Sequence, residues 1–454
     1  LLCHYRSRDE VLIAFSNYEI YAENPMMTFP SVKGHSSEAL KWCPVPDGQF
    51  MRKKTERSQL DPDQQKAAER AEIALREHSN GKLLTTNPLE AEAVAEEVWA
   101  RLTDPVRRKR REVGASDGAE SMIVVTFNIP QKKLITALLL QKQDESDPVV
   151  SRAFEDRKDE ESGVLVERPQ LKIMNLEYVQ GDEAETVIFS VAFTKWGPGE
   201  RKTGDSNEVP GNFGPVNKTG GYRRLNVAVT RAKSEMLVFC SFDPDDIAVK
   251  PTSPRDLRLV QSFLKLVKEG PRRNASIGIA VSRSHHVSDI ARTIEEMGYR
   301  VETNVGLSKL RVDIAVGRLG GDTWEIAVMV DGPAWSERGS AYQREILPRA
   351  MLTLLGWKQV IRVWLPSWID ERDDILETIR NAMEDIEEEL PVEESEVSDI
   401  GNGAIDHPDP DPEEDKGVAA RRRRLGYGRD LPDDRGGSPV ARGTEDDGVF
   451  SPFE

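Results

Sequence analysis

Residues 222–240 pass from a helical repeat straight into an unbroken apolar run, ending Met-Leu-Val-Phe-Cys. Leu225, Ala228, Val229 and Ala232 recur at helical spacing and give one buried face. Met236 to Phe239 has no polar side to turn to solvent, which predicts a central strand covered on both faces, as in a parallel sheet. Arg224 and Arg231, seven residues apart, fall close in angle on the helical pattern and project near one end of its face. A guanidinium held at a strand–helix junction can stabilise charge on a transferring γ-phosphoryl group. Taken alone, the stretch is equally an ordinary helix before a buried strand, with two solvated arginines.

The same alternation runs through the first half of the chain. Ala91 to Leu102 has an amphipathic helical pattern, Met122 to Phe127 is a β-branched strand, and Asn128-Ile129-Pro130 turns into a helix over Gln131 to Leu140. Thr186 to Phe193 is a further buried strand. Helices alternating with apolar strands predict an α/β fold with a parallel sheet over residues 1–250. Polar stretches near 50–82 and 194–221 are expected to be insertions or long loops. Residues 251–274 are expected to form a helical connector, and 275–383 a smaller α/β domain. From 384 to 454 the acidic, Pro- and Gly-containing sequence lacks periodicity and is expected to be disordered. The net charge of −17 argues against a uniformly basic nucleic-acid binder, yet much of it sits in that tail, so a local basic groove stays open. Cys3, Cys43 and Cys240 have neither zinc-site nor disulfide spacing. No run of about 18 apolar residues is present, so a soluble, cytoplasmic protein with no membrane partner is expected. The chain opens on Leu inside a motif, which suggests the C-terminal part of something longer.

Two more clusters carry chemistry. His4-Tyr5-Arg6-Ser7-Arg8 precedes a helix with Leu12, Ile13 and Phe15, and places an aromatic ring beside a cation. An adenine can stack on Tyr5 while Arg6 reaches phosphate. In Val179-Gln180-Gly181-Asp182-Glu183, before the strand at Thr186, glycine permits close backbone approach. Gln180 and Glu183 there supply an amide and a carboxylate for a ribose or for positioning water.

Together with Leu225–Arg231, Asn212–Asn217 and Ser241–Asp245, these blocks resemble the later motifs of superfamily-one helicases. The branch most similar contains the nonsense-decay helicase and the Dna-two/Nam-seven enzymes. The resemblance spans residues 1 to about 248 and implies the second RecA-like domain of an ATP-dependent helicase. It implies that Arg6 and Arg231 act as arginine fingers on the γ-phosphate of ATP, with Gln180 in the catalytic set. Tyr5, Gly181, Glu183 and Arg224 would then surround the nucleotide. Ser7-Arg8 stands where many members have Met-His, and Lys233 where Arg is usual. The phosphate cradle Gly-x4-Gly-Lys-Ser/Thr is absent; Gly81-Lys82 is followed by Leu83. The cradle and the Mg2+ ligands are therefore expected in a first RecA-like domain, a partner without which no ATP is hydrolysed.

Thr126, Asn128 and Gln131, at a strand end and helix start, offer groups suited to phosphate. The resemblance implies that this strand end touches single-stranded DNA or RNA; the alternative is a simple N-cap and turn. Arg107–Arg111 is a dense basic run, which reads first as a solvated surface segment and second as a phosphate contact. Residues 284–368 resemble the Vsr-like, restriction-endonuclease-type domain, which implies magnesium held by acids on adjacent strands and the first helix. Asp313 takes the first acidic position, and Asp331 follows on the next strand. Met329 stands where an acid is usual, Val287 replaces the helix acid, and Ser336 the usual His. Methionine does not ligate a hard cation, so Asp313, Met329 and Asp331 are expected to be a degenerate site holding no metal. The chain is thus expected to be part of a helicase; the alternatives are a non-catalytic nucleic-acid-binding or assembly module, or an active magnesium-dependent nuclease.

Overall fold

The computed structural model describes residues 3–388 except 5, 35–37, 54, 105–120, 144–147, 156, 159–164, 168, 197–207, 272–284 and 337. Tyr5, the Arg107–Arg111 run and the tail beyond 388 lie outside the described residues. The first domain is built on β1 (Leu40–Pro44), β2 (Met122–Thr126), β5 (Leu171–Asn175), β6 (Ala184–Ser190) and β7 (Ala232–Cys240). They form one all-parallel sheet in the order β1-β7-β6-β2-β5. A separate antiparallel pair joins β3 (Arg157–Lys158) and β4 (Leu165–Glu167). Every residue of β2 is buried, as its continuous Met-Ile-Val-Val-Thr run requires.

Helices cover both faces. On one lie α1 (Val11–Phe15), α6 (Gly221–Val229) and α7 (Arg255–Glu269). On the other lie α2 (Pro62–His78), α3 (Pro88–Thr103), α4 (Ile129–Lys142) and α5 (Val149–Phe154). Two of these correct the sequence expectations. The stretch near 50–82, expected to be an insertion or a long loop, contains α2, started by an Asp61–Gln64 capping box with Pro62 in the first turn. Its buried side is mostly alanine, Ala67, Ala68, Ala71 and Ala74, which carries little hydropathy but packs closely. The segment expected to be a helical connector is helical, as α7, but belongs to the first core, where its Phe263 meets Phe15 and Phe189 edge-on at 5.4 and 5.5 Å. A further correction concerns α6, which stops at Val229. Arg231 therefore sits in the turn into β7, not on one helical face with Arg224.

The second domain has β8 (Arg300–Val305), β9 (Val312–Gly317), β10 (Ile326–Val330) and β11 (Gln359–Val363) in the order β11-β10-β9-β8. β8, β9 and β10 run antiparallel in turn, and β11 is parallel to β10. Around them lie α8 (His285–Glu296), α9 (Pro333–Ser336), α10 (Leu347–Leu354), α11 (Leu365–Asp370) and α12 (Arg372–Glu388). Ile290, Ile314, Val328 and Met383 share one core; Val312, Met329, Leu352 and Trp357 share the other. The polar edge strand β8 has no counterpart in the sequence expectations. The helix α12 runs four residues past the start expected for the disordered tail.

Both domains belong to one compact unit, Leu1–Pro391. Residues 26–34 run between them. Thr28 N donates to Ser308 Oγ at 3.0 Å, Trp324 N to the Val32 carbonyl at 2.6 Å, and Trp357 Nε1 to the Pro30 carbonyl at 2.9 Å. Among the described residues, no helix is long and apolar enough to cross a membrane.

Candidate nucleotide site at the entry edge of the sheet

Three motif segments meet where β6 and β7 begin. Ser7 Oγ donates to the Ala232 carbonyl at 2.9 Å, and Arg8 N to the Lys233 carbonyl at 2.6 Å, which pins the segment before α1 to the start of β7. The Ala184–Ala232 register sets the loop before β6 alongside. Glu183, on that loop, accepts Arg6 Nε on one oxygen at 2.7 Å and Lys233 Nζ on the other at 2.8 Å. The Lys233 hydrogen bond, helped by the charges of Lys233 and Arg6, holds the Glu183 carboxyl below its usual range. Lys233, one of the departures from the helicase pattern, thus has a defined part as a second cation on Glu183.

Arg231 is fastened from behind. Its Nε donates to the Val227 carbonyl at 2.8 Å and Nη1 to the Asp182 carbonyl at 3.1 Å, leaving Nη2 without a partner among the described residues. Burial lowers its pKa, and the neighbouring Arg6 charge lowers it further. Two arginines that are 225 positions apart in sequence are therefore close enough to feel each other, with Asp182 and Glu183 beside them. Asp182 is itself ion-paired with Lys172. Gly181 has φ +95° and open space around it, and Gln180 is exposed on the same loop. His4 accepts the Ser7 N–H through Nε2, and burial, together with Arg6, lowers its pKa to about 4, so it is neutral near pH 7. Arg224 turns elsewhere: its Nη1 donates to the Pro215 and Thr219 carbonyls, bracing the loop that leads into α6.

The cluster fits an anion: one unpartnered guanidinium nitrogen, a second arginine beside it, and a carboxylate that presently neutralises that second arginine. It does not fit a divalent metal. Among the described residues no three His, Cys, Asp or Glu side chains gather to hold one.

The expected nucleic-acid contacts lie at the opposite edge. Thr126 pairs with Ser190 at the end of β6, roughly 20 Å along the strand from Ala184 at about 3.3 Å per residue. Thr126 and Gln131 are fully buried. The Thr126 hydroxyl donates to the Asn128 carbonyl, and Gln131 donates to Ser190 Oγ and the Asn87 carbonyl. Their polar groups face inward, which corrects the expectation that they are offered to a phosphate chain. Asn128 caps α4 through Oδ1, and its buried Nδ2 has no partner among the described residues.

Sequence reasoning missed the group at the centre of that edge. Glu90 is fully buried, accepts Ser190 Oγ at 2.8 Å and Ala192 N at 2.6 Å on Oε1, and accepts Ser241 Oγ at 2.7 Å on Oε2. Burial raises its pKa to about 7. Its only sequence signal was an acid three residues after Asn87, which marks a helix start but not a buried network.

In the second domain Asp313 Oδ2 accepts Val330 N at 2.8 Å, and burial raises its carboxyl to about 6 despite the guanidiniums of Arg338 and Arg362. Asp331 Oδ1 accepts Leu365 N at 2.7 Å and so serves the start of α11. Met329 is buried on β10, opposite Arg362 of β11. The two aspartates are thus engaged with backbone amides.

Comparison with known proteins agrees with this two-part organisation. The family model REase_MTES_1575 matches residues 287–383. An uncharacterized ATP-dependent helicase, MG140, of Mycoplasma genitalium is 30% identical over 161 residues, covering 36% of this chain and 13% of the relative. Its homolog in Mycoplasma pneumoniae is 31% identical over 136 residues, covering 30% of this chain and 10% of the relative. The chain therefore spans only a small part of the relatives it matches. The AAA domain family (AAA_12) matches residues 1–243, more than half of the 454, and the chain belongs to that family.

Proposed function

We propose that residues 1–243 are the arginine-donating RecA-like half of a superfamily-one helicase of the Dna-two/Nam-seven branch, followed by a Vsr-like nuclease fold that no longer cuts. The observation that carries this reading is the meeting of Arg6 and Arg231 around Glu183 at the entry edge of the sheet. Bound ATP, with Mg2+ held by another domain, supplies a γ-phosphoryl group whose transfer to water spreads charge over its oxygens. Arg231 is held at two nitrogens by carbonyls, so its free Nη2 is already oriented toward such charge and needs no reorganisation. Arg6 is kept nearby by Glu183 until a more strongly charged phosphate competes for it. Gln180 and Gly181 bring amide and backbone to the same edge, and Tyr5 would stack on the base. The chain has no Gly-x4-Gly-Lys-Ser/Thr, so turnover needs a P-loop from a partner domain. Closing of the two domains would then step single-stranded DNA or RNA. A cytoplasmic setting fits cysteines that are all free.

The test uses a polypeptide that joins this chain to a P-loop domain. Arg231→Ala is expected to lower kcat for ATP about 10³-fold or more, while nucleotide affinity changes little. Equal turnover in variant and parent would remove the arginine-finger assignment.

A further inference from the structure

Where a metal-dependent nuclease gathers carboxylates, this chain has gathered guanidiniums. A cleft of about 450 Å³ opens beside Met329, with Arg344, Arg349 and Arg362 in its walls against one acid, Glu345. That acid is already engaged: it pairs with Arg362 and accepts Trp335 Nε1 at 2.5 Å. Arg344 donates Nε to the Arg338 carbonyl at 2.6 Å and lies over the Trp335 ring at 4.9 Å, but meets no carboxylate among the described residues. Arg349 is exposed on α10 and has no acidic partner there either. Behind them, Arg338 and Arg362 each bury an Nη1 with no hydrogen-bond partner among the described residues. A divalent cation is repelled from such a site, and Met329 gives it no hard ligand.

The surroundings indicate what anion is wanted. The cleft is far larger than an inorganic phosphate needs and falls in the ordinary size range of ligand sites, roughly 300–1,000 Å³. Flat or apolar side chains stand exposed around it: Ile346 at 58% on its lining, Tyr342 at 56% one turn away, and Trp364 at 42% against Arg362 and Trp335. Guanidiniums interleaved with exposed aromatic faces suit a strand whose phosphates and bases alternate. We infer that the cleft lined by Arg344, Arg349 and Arg362 holds a phosphodiester of single-stranded nucleic acid, with no metal and without cutting it. The inference is independent of the nucleotide site, because none of these residues takes part there.

The experiment measures fluorescence anisotropy of a labelled oligothymidylate of about 20 nucleotides with the full chain in EDTA. Parent protein is expected to bind, with log affinity falling linearly against log salt. Arg349→Glu and Arg344→Glu should each weaken binding about tenfold or more and reduce the salt slope by about one. Arg349→Lys, which keeps the charge, should stay within about threefold of the parent. Matching melting temperatures confirm that the variants are folded. Unchanged affinity in both charge reversals, no binding by the parent, or a requirement for Mg2+ would each overturn the inference. Full displacement by millimolar inorganic phosphate would show a small-anion site instead, and would overturn it too. So would Mg2+-dependent cleavage that Asp313→Ala abolishes.

Discussion

Glu90 shows how much one side chain can hold at the exit edge of a parallel sheet. Its carboxyl collects Ser190, Ser241 and the Ala192 amide, while Asn87, whose Oδ1 caps the helix by accepting Glu90 N, donates through Nδ2 to the Ala192 carbonyl and to Ser241. Ala192 sits at φ +69°, a conformation rare for an L side chain, and these bonds fasten it on both sides. Because burial raises Glu90 from 4.5 to about 7, the folded state keeps a proton that the unfolded chain releases first. The contribution is complete below about pH 4.5 and is lost as pH rises through about 7, on the order of 3 kcal/mol. Glu90→Gln mimics the protonated form, so it is expected to match the parent near pH 5 and to exceed it near pH 8. Urea unfolding at both pH values checks this; the same deficit at both would show that the carboxyl is ionised in the fold. Thr126 and Gln131 teach the complementary point. Their residue types were visible in the sequence, but the direction each side chain takes was fixed by partners such as Asn87, Met174 and Ser190, far away in the chain.

At the scale of elements, legibility followed hydropathy. β2, β6 and β7 were readable because runs of Val, Ile, Leu and Phe have few alternatives to a doubly covered strand. α2 was not, because alanines make its buried contacts, and neither was β8, an edge strand with little to bury. The arginine site became legible through its ordered motifs, while the turn holding Arg231 did not, because helical periodicity gives no sign of where α6 stops. Two adjacent glycines set that helix and make separate predictions. Gly220, at φ +75°, has open space where a Cβ would go, so Gly220→Ala costs only its backbone conformation, about 1 kcal/mol. At Gly221 a Cβ would lie 1.6 Å from the Val216 carbonyl oxygen, a backbone atom that cannot swing away. Gly221→Ala should therefore cost about 3 kcal/mol or more and displace α6, which carries the Val227 carbonyl that orients Arg231. Chemical unfolding of both variants separates the two costs; equal losses would mean that the turn before α6 adjusts freely.

At the scale of the whole molecule, the segment pinned to the candidate nucleotide edge is also pinned to the second domain. Glu10, four residues after Arg6, accepts Leu307 N from the β8–β9 loop at 2.8 Å and Thr28 Oγ1 at 2.7 Å. Neighbouring Asp9 accepts Ser31 Oγ at 2.9 Å. Leu307 is 297 positions from Glu10, a separation no local pattern records, which is why the sequence suggested separate domains and gave no hint of this seam. Burial raises Glu10 to about 7, opposed by its hydrogen bonds from Leu307 and Thr28; Asp9 raises it further and Arg311 lowers it. The proton is kept in the closed junction and released when the junction opens, so closure is strongest below about pH 4.5 and weakens as pH rises through about 7. Calorimetry near pH 5.5 is expected to give one transition for both domains, splitting toward two near pH 8. Glu10→Gln, which needs no proton, should keep one transition at both pH values. If the variant splits as the parent does, another group governs the seam. If neither splits, the contacts of Trp324 and Trp357 with residues 26–34 bind the domains strongly enough without it.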